Sequence, residues 1–279
     1  MKAPKFYKLA RPDGWDFHTG KTIQYRDNIG KTVSVKDTGT YRLCSETIIH
    51  ASKNPNDCFI GAKIPCSAYK VQGIPFVSDK EKSGFIALKI LEEIIDLDKL
   101  FGWNYTEAAN PINPFKIDPP EEITAEHIQL LKKWASVRNS VRVPMGSSMW
   151  DSAQDSVWAS VRKSVQSSAW ASTWVPVWDF VWASVQGSVQ GSVGDFVWIP
   201  VWNSVWASVR NSAWASVWAY IGSFFPGIEK WENINHKKGE YPFRAAADLW
   251  KLGLVPSHNG ETWRLHGGAN GEILWEGKI

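Results

Sequence analysis

Along residues 134–225 the apolar and polar side chains recur with a period of four. Taking every fourth residue from Ser136 to Phe224, 16 of 23 positions are serine, and the residue that follows is valine in 15 of 23. The third column, Arg138 to Gly222, holds only Trp, Arg, Gln or Gly, and the fourth mixes small, polar and charged residues with Val143, Val175 and Ile199. A column that is nearly all valine belongs inside. A column that accepts Arg138, Arg162, Gln166, Gln186 and Arg210 resists desolvation, because a buried unpaired guanidinium is too costly. The third column is therefore predicted to face water, with its tryptophans at least half exposed. Serine, small and able to satisfy its hydroxyl locally, suits a corner or an inner shelf.

Two backbones accommodate this period. In an α-helix each tetrad advances the valine stripe by about 40°, so over a long rod the stripe winds right round and no single partner buries it. Val, Ser, Trp and the glycines at 187, 191 and 194 are also mediocre to poor helix formers. A β-solenoid turns corners at fixed intervals and stacks like residues in columns. The pattern favours a central β-solenoid, with a packed helical repeat as the alternative. WASV recurs at Trp134, Trp158, Trp182 and Trp206, 24 residues apart. A shift of 20 residues matches almost as many positions, so a coil of 20 or 24 residues fits.

The flanks have other patterns. Residues 1–108 read as a small N-terminal α+β domain. KTIQYRDNIGKTVSV and CFIGAKIPCSAYKV, β-branched and aromatic with Gly and Pro breaks, predict strands. In FIALKILEEIIDLDKLF (85–101), Ile86, Ile90, Leu91, Ile94, Ile95 and Leu97 share one helical face opposite Lys89, Glu92, Glu93 and Asp96, which predicts a helix. The four prolines of 109–120 predict a stiff connector, and EEITAEHIQLLKKW (121–134) a short helix leading into the array, so 109–133 form a linker and capping helix. Residues 226–279 predict a C-terminal cap of α/β-hairpin type: a helix carrying Ala245, Leu249 and Leu252, then strands ETWRLH and EILWEG about the turn GGANG. The expected class is α+β, with the repeat domain at 134–225.

Charge narrows the function classes. Lys+Arg against Asp+Glu is 19 to 17 over residues 1–133, 5 to 4 over the array and 7 to 7 over 226–279. No segment has the basic footprint of a nucleic-acid binder. The start of the chain has no apolar signal region and nowhere are there 18 consecutive apolar residues, which argues against secretion and membrane spanning. Three cysteines, Cys44, Cys58 and Cys66, are odd in number and read as reduced thiols of a cytoplasmic protein.

YRLCSETIIHASKNPNDCFIGAKIPCSAYKV (41–71) resembles a small domain at the front of uncharacterised phage and bacterial proteins, where a phrase like HA-S-x-NP-x-D and a strand precede a pentapeptide-type solenoid. The array with its SVWAYIGSFF ending, and the PSHNGETWRLHGG stretch, resembles an uncharacterised repeat family of the same origin. The resemblance implies a β-solenoid and supplies no activity. The four-residue period and the missing Leu/Phe centre depart from pentapeptide repeats.

Candidate chemistry is sparse. Cys44, His50, Cys58 and Cys66 are separated by five, seven and seven residues, which matches no zinc knuckle or ribbon, so buried thiols are expected and no metal site. Tyr41, His50 and Ser52 resemble the nucleotide-binding strands of ADP-ribosyltransferases, without the accompanying glutamate motif. GKT at 20–22 and 30–32 lacks the phosphate-loop frame. Asp151, Asp155, Asp179 and Asp195 read as solubilising charges. The tryptophan column stands out, since indoles interleaved with Arg suit flat, anionic or glycosidic ligands. The expected function is a non-enzymatic binding protein without cofactor, whose ligand face comprises Trp158, Trp182, Trp198, Trp202, Trp206, Arg162 and Arg210. The expected partner is a small nucleotide-like ligand, such as a host signalling nucleotide, or a host protein, with nucleic acid disfavoured. The alternatives are a self-assembling, homo-oligomeric array and an ADP-ribosyltransferase-like N-domain.

Overall fold

The computed structural model describes residues 4–39, 41–43, 45, 47–137, 155–161 and 213–279. They divide into two compact units, one ending at Ala109 and the other beginning at Asn110.

The first unit is built from two antiparallel sheets. The larger has the order β1 (Lys5–Ala10), β4 (Ser67–Gln72), β7 (Ala87–Ile94), β2 (Thr32–Ser34). The smaller has the order β3 (Ile49–Ala51), β6 (Ser83–Phe85), β5 (Val77–Ser78). β1 also bridges the end of β3, where the Tyr7 amide donates to the Ser52 carbonyl at 2.7 Å and the Ser52 amide returns the bond at 2.9 Å. Phe6, Ala10, Tyr69, Val71, Leu88 and Ile90 from the larger sheet pack with Ile49, Ala51 and Phe85 from the smaller into one core. Helices α1 (Leu97–Phe101) and α2 (Tyr105–Ala109) close the unit, with Phe59, Phe101, Trp103 and Tyr105 as an aromatic cluster.

β7 corrects the helix expected over 85–101, of which only Leu97–Phe101 is helical. The deciding residue is Leu88. A helix would place it on the same side as Ile95, seven residues on, yet it is fully buried together with Ile90, while Ile95 and the intervening Lys89 are exposed. Lying between β4 and β2, β7 has its backbone groups met from both sides, and that ladder outweighs a local helical pattern. The two strand readings were only partly right. Strand structure is confined to Thr32–Ser34 in the first segment and Ser67–Val71 in the second, and a 3-10 turn (Pro55–Ile60) runs into the second.

In the second unit, α3 (Ala125–Val137) packs against α4 (Arg244–Lys251). A three-stranded sheet follows, in the order β10 (Glu272–Gly277), β9 (Trp263–Gly267), β8 (Val255–His258). The helix and hairpin were expected and β8 was not, because Pro256 reads as a breaker. β8 is an edge strand, where a missing N–H is tolerated. The proline-rich connector is packed into this unit: Trp250 Nε1 donates to the Ile112 carbonyl (2.9 Å), and the Ile112 amide donates to Tyr220 Oη (2.8 Å).

The β-solenoid is overturned. Tetrad residues 155–161 and 213–222 are helical, as are 134–137 at the end of α3, and no sheet among the described residues coils into a solenoid. The α+β class stands. The drift of 40° per tetrad penalises a long rod, but over two tetrads it leaves the stripe on one side. Ser156, Val157, Ser160 and Val161 are accordingly all buried. A serine hydroxyl can donate back to the carbonyl three residues earlier, as buried Ser216 does to Ala213 at 2.6 Å and exposed Ser136 does to Lys133 at 2.7 Å. Ser160 Oγ instead accepts from the Glu232 amide at 2.7 Å, and Ser156 Oγ is buried without a partner.

Candidate functional site

The tryptophan column does not keep one environment. Trp158 is 41% exposed, short of the half expected, and Trp218 and Trp134 are buried, at 3% and 2%. A four-residue period on a helix cannot hold a column facing outward from one helix to the next. Gly222, of the same column, is buried because Tyr241 Oη would lie 2.5 Å from any Cβ there. Of the residues expected to bind ligand, Trp182, Trp198, Trp202, Trp206, Arg162 and Arg210 lie outside the described residues, as does Cys44.

The described residues do enclose a cavity, in the first unit, of about 400 Å3. Its apolar wall includes Leu9, Ile23, Ile48 and Ile49, and its polar wall includes Lys8, Asp16, His18, Tyr25, His50 and Asp57. Strand alternation explains the most unusual of these. Lys8 falls between Phe6 and Ala10 on β1, and side chains two apart share a face, so a lysine is aimed where both neighbours belong to the core. Its ammonium lies 5.6 Å from the centre of the Tyr25 ring and forms no ion pair among the described residues. Burial pulls it below the usual lysine range, a trend that Cys58 and Asp16 partly oppose.

Asp16 organises one rim. Its carboxylate accepts from the Thr19 amide (2.8 Å) and hydroxyl (2.9 Å), the Thr22 amide (3.0 Å) and the Ile23 amide (3.3 Å). Burial alone would raise this carboxyl, but those bonds hold it below the ordinary carboxylate range. The loop it closes sets His18, Thr19 and Thr22 at the cavity mouth. On the opposite side, the turn Pro55–Ile60 starts from Asn54, whose side chain caps the Asn56 amide at 3.2 Å, and it seats Asp57 and Cys58.

Two residues that line this cavity each carry a buried polar atom without a hydrogen-bond partner, Tyr25 Oη and Asp57 Oδ1. Desolvation raises the Tyr25 phenol far above its usual range and raises Asp57 as well, with Glu81 contributing to the latter. His50 is half-buried, and burial pushes it down to about 4, with Lys8, Lys82 and His18 acting in the same direction and Asp79 against.

His50 and Ser52 thus come together in the cavity wall, whereas Tyr41 is exposed, donates to Asp37 at 3.2 Å and stacks on Phe76. The thiols serve packing. Cys58 Sγ donates to the Tyr7 carbonyl at 3.1 Å, and buried Cys66 has its amide bonded to Tyr105 Oη at 2.6 Å. Burial raises them to about 11 and about 12, and no cluster of three metal-ligating side chains occurs among the described residues. Sequence reasoning passed over Lys8, Asp16, Tyr25 and Asp57. A lysine in phase with Phe6 and Ala10 was the one available signal.

A second polar pair, in the other unit, is structural. His266 Nδ1 faces the Gly271 carbonyl at 3.1 Å, so it carries the proton, and Nε2 accepts from Ser257 Oγ at 2.7 Å. Both residues are fully buried, so no substrate reaches the hydroxyl. Among the described residues no helix is long and apolar enough to cross a membrane. No family model, no curated protein and no solved structure matches this chain.

Proposed function

We propose that the first unit is a non-enzymatic binding module for a small, nucleotide-like polar molecule, held in the cavity between β1, β3 and the Asp16 loop. The observation that carries this reading is that two residues lining one cavity, Tyr25 and Asp57, each hold a buried polar atom, Oη and Oδ1, without a protein partner. Buried polar groups are normally paired, and each orphan costs about 1–3 kcal/mol. A ligand carrying a donor for Asp57 and an acceptor for Tyr25 would recover that cost. A cavity of about 400 Å3 with mostly apolar walls and a few convergent polar groups has the character of a small-molecule site. Binding rather than catalysis is favoured because both thiols are held well above the thiolate range and the Ser257–His266 pair is enclosed. A cytoplasmic setting fits the free thiols Cys58 and Cys66.

The test is a thermal-shift screen of the full chain against nucleosides, nucleotides, sugar phosphates and amino acids, with Asp57→Asn and Tyr25→Phe as controls. Binders are expected to raise Tm in the native protein, and both variants to weaken the response about tenfold in dose. A screen without binders, or binders indifferent to both variants, would remove the cavity from consideration.

A further inference from the structure

We propose that Lys8 is a capture site for carbonyl compounds, its side-chain amine closing a reversible imine with a small aldehyde or ketone that enters the cavity. This inference rests on reading the cavity as a ligand site and adds the bond by which the ligand is held.

Placement comes first. Lys8 shares a face of β1 with the core residues Phe6 and Ala10, and it lines a cavity of about 400 Å3. Its ammonium stands 5.6 Å from the centre of the Tyr25 ring. Among the described residues it has neither a hydrogen-bond acceptor nor an ion-pair partner. A lysine drawn onto a core face is ordinarily paired. An amine held only by a ring face, at the edge of a space large enough for a small molecule, keeps its reactive atom unoccupied.

The groups that face it from neighbouring elements offset its burial only in part. Asp16, in the loop after β1, already accepts four bonds from Thr19, Thr22 and Ile23. Cys58, in the turn Pro55–Ile60, donates its thiol proton to the Tyr7 carbonyl and is raised by burial to about 11, so it is uncharged near neutral pH. The Tyr25 phenol is raised further still. His50 on β3, lowered by burial to about 4, is neutral in the same range. Desolvation therefore disfavours the Lys8 ammonium and leaves more of the free amine, the form that adds to a carbonyl.

The chemistry balances without a further reactant. The Nζ lone pair adds to the carbonyl carbon, forming a C–N bond, and a proton passes from nitrogen to the carbonyl oxygen. The new hydroxyl then leaves as water, taking up the second N–H proton, and the C=N bond closes. An imine is a weaker base than an amine, so capture removes a desolvated ammonium. The fraction that stays protonated keeps the face of the Tyr25 ring.

The experiment incubates the full chain at pH 7 with pyridoxal or glyceraldehyde, against pyridoxine and glycerol, which lack the carbonyl. Cyanoborohydride reduces any imine to a stable secondary amine, and peptide mass spectrometry locates it. Lys8 is expected to be modified about ten times faster or more than the exposed Lys36 and Lys278. Raising the pH from 7 to 9 should speed those two far more than Lys8. Lys8→Arg, which keeps a cation and removes the amine, should abolish the cavity adduct. If Lys8 in folded protein is modified no faster than Lys36 and Lys278, the imine assignment is overturned. Should pyridoxal and pyridoxine raise Tm equally while Lys8 stays unmodified, the imine falls and the cavity reading stands. A thermal-shift screen without binders, together with no adduct at Lys8, removes both.

Discussion

Lys8, part-buried, and His266, fully buried, are titratable groups whose surroundings differ. Lys8 gives up hydration for a contact with the Tyr25 ring and the fields of Cys58 and Asp16, which only partly offset the cost of its burial. Lys8→Met is therefore expected to raise the stability of the free protein by about 1 kcal/mol while weakening binding in the proposed cavity site, checked by denaturant titration beside calorimetry. A variant that loses binding and stability together would make Lys8 a packing residue. His266 is satisfied on both nitrogens, and burial pushes it down to about 4. Its unfolded value is about 6.5, so between these values the unfolded chain holds more protons than the folded one. The stability contributed by neutral His266 is complete above pH 6.5 and is lost as pH falls towards 4. The loss reaches about 3 kcal/mol, and His50, also at about 4, adds in the same window. Urea titrations at pH 7.5 and 5 should show the fall, and His266→Gln should lessen it.

Two readings at the level of elements turned on which side chains face the core. In β7, Leu88→Ala should cost about 2–5 kcal/mol, and Ile95→Ala, at a residue 83% exposed, about 0.5 kcal/mol or less. On a helix over 85–101 the two, seven residues apart, would share a side and cost alike. In the tetrads, Val157→Asp buries a lone carboxylate and should cost several kcal/mol, on the order of the upper tail for single substitutions. Trp158→Gln, one residue on, should cost about 1 kcal/mol or less. Equal damage at both positions would mean that 155–161 does not present its Ser and Val residues inward. Arg26 shows how a loop is tied to a sheet. Its guanidinium donates to Glu93 at 2.8 and 3.1 Å, to Ser67 Oγ at 3.0 Å and to the Pro12 carbonyl at 3.0 Å. That set anchors the chain leading into β2 against β4 and β7.

For the molecule as a whole, the first unit contains its own core and all the residues that line the cavity. A fragment of residues 1–109 is therefore expected to fold alone and to retain ligand binding within about threefold, as judged by dispersed amide resonances and calorimetry. A fragment that folds but does not bind would place a necessary part of the site elsewhere in the chain. The sequence alone determined the α+β class, a helix ahead of the array (expected over 121–134, found over Ala125–Val137), the helix and hairpin near the C-terminus, and the inward Ser and Val residues of 155–161. These rest on local periodicity and on which side chains tolerate burial, and both are legible in one dimension. Tertiary structure decided the rest. Residues 87–94 became a strand because neighbours on both sides met their backbone groups. The described tetrads are helical, and over two tetrads the drift of about 40° leaves the Ser and Val stripe on one side. Lys8, His18, His50 and Lys82, separated by up to 74 positions, share one enclosure because β1 pairs with the end of β3 and the Asp16 loop folds over both. Convergence of distant side chains depends on strand order, and strand order has no signature in local pattern.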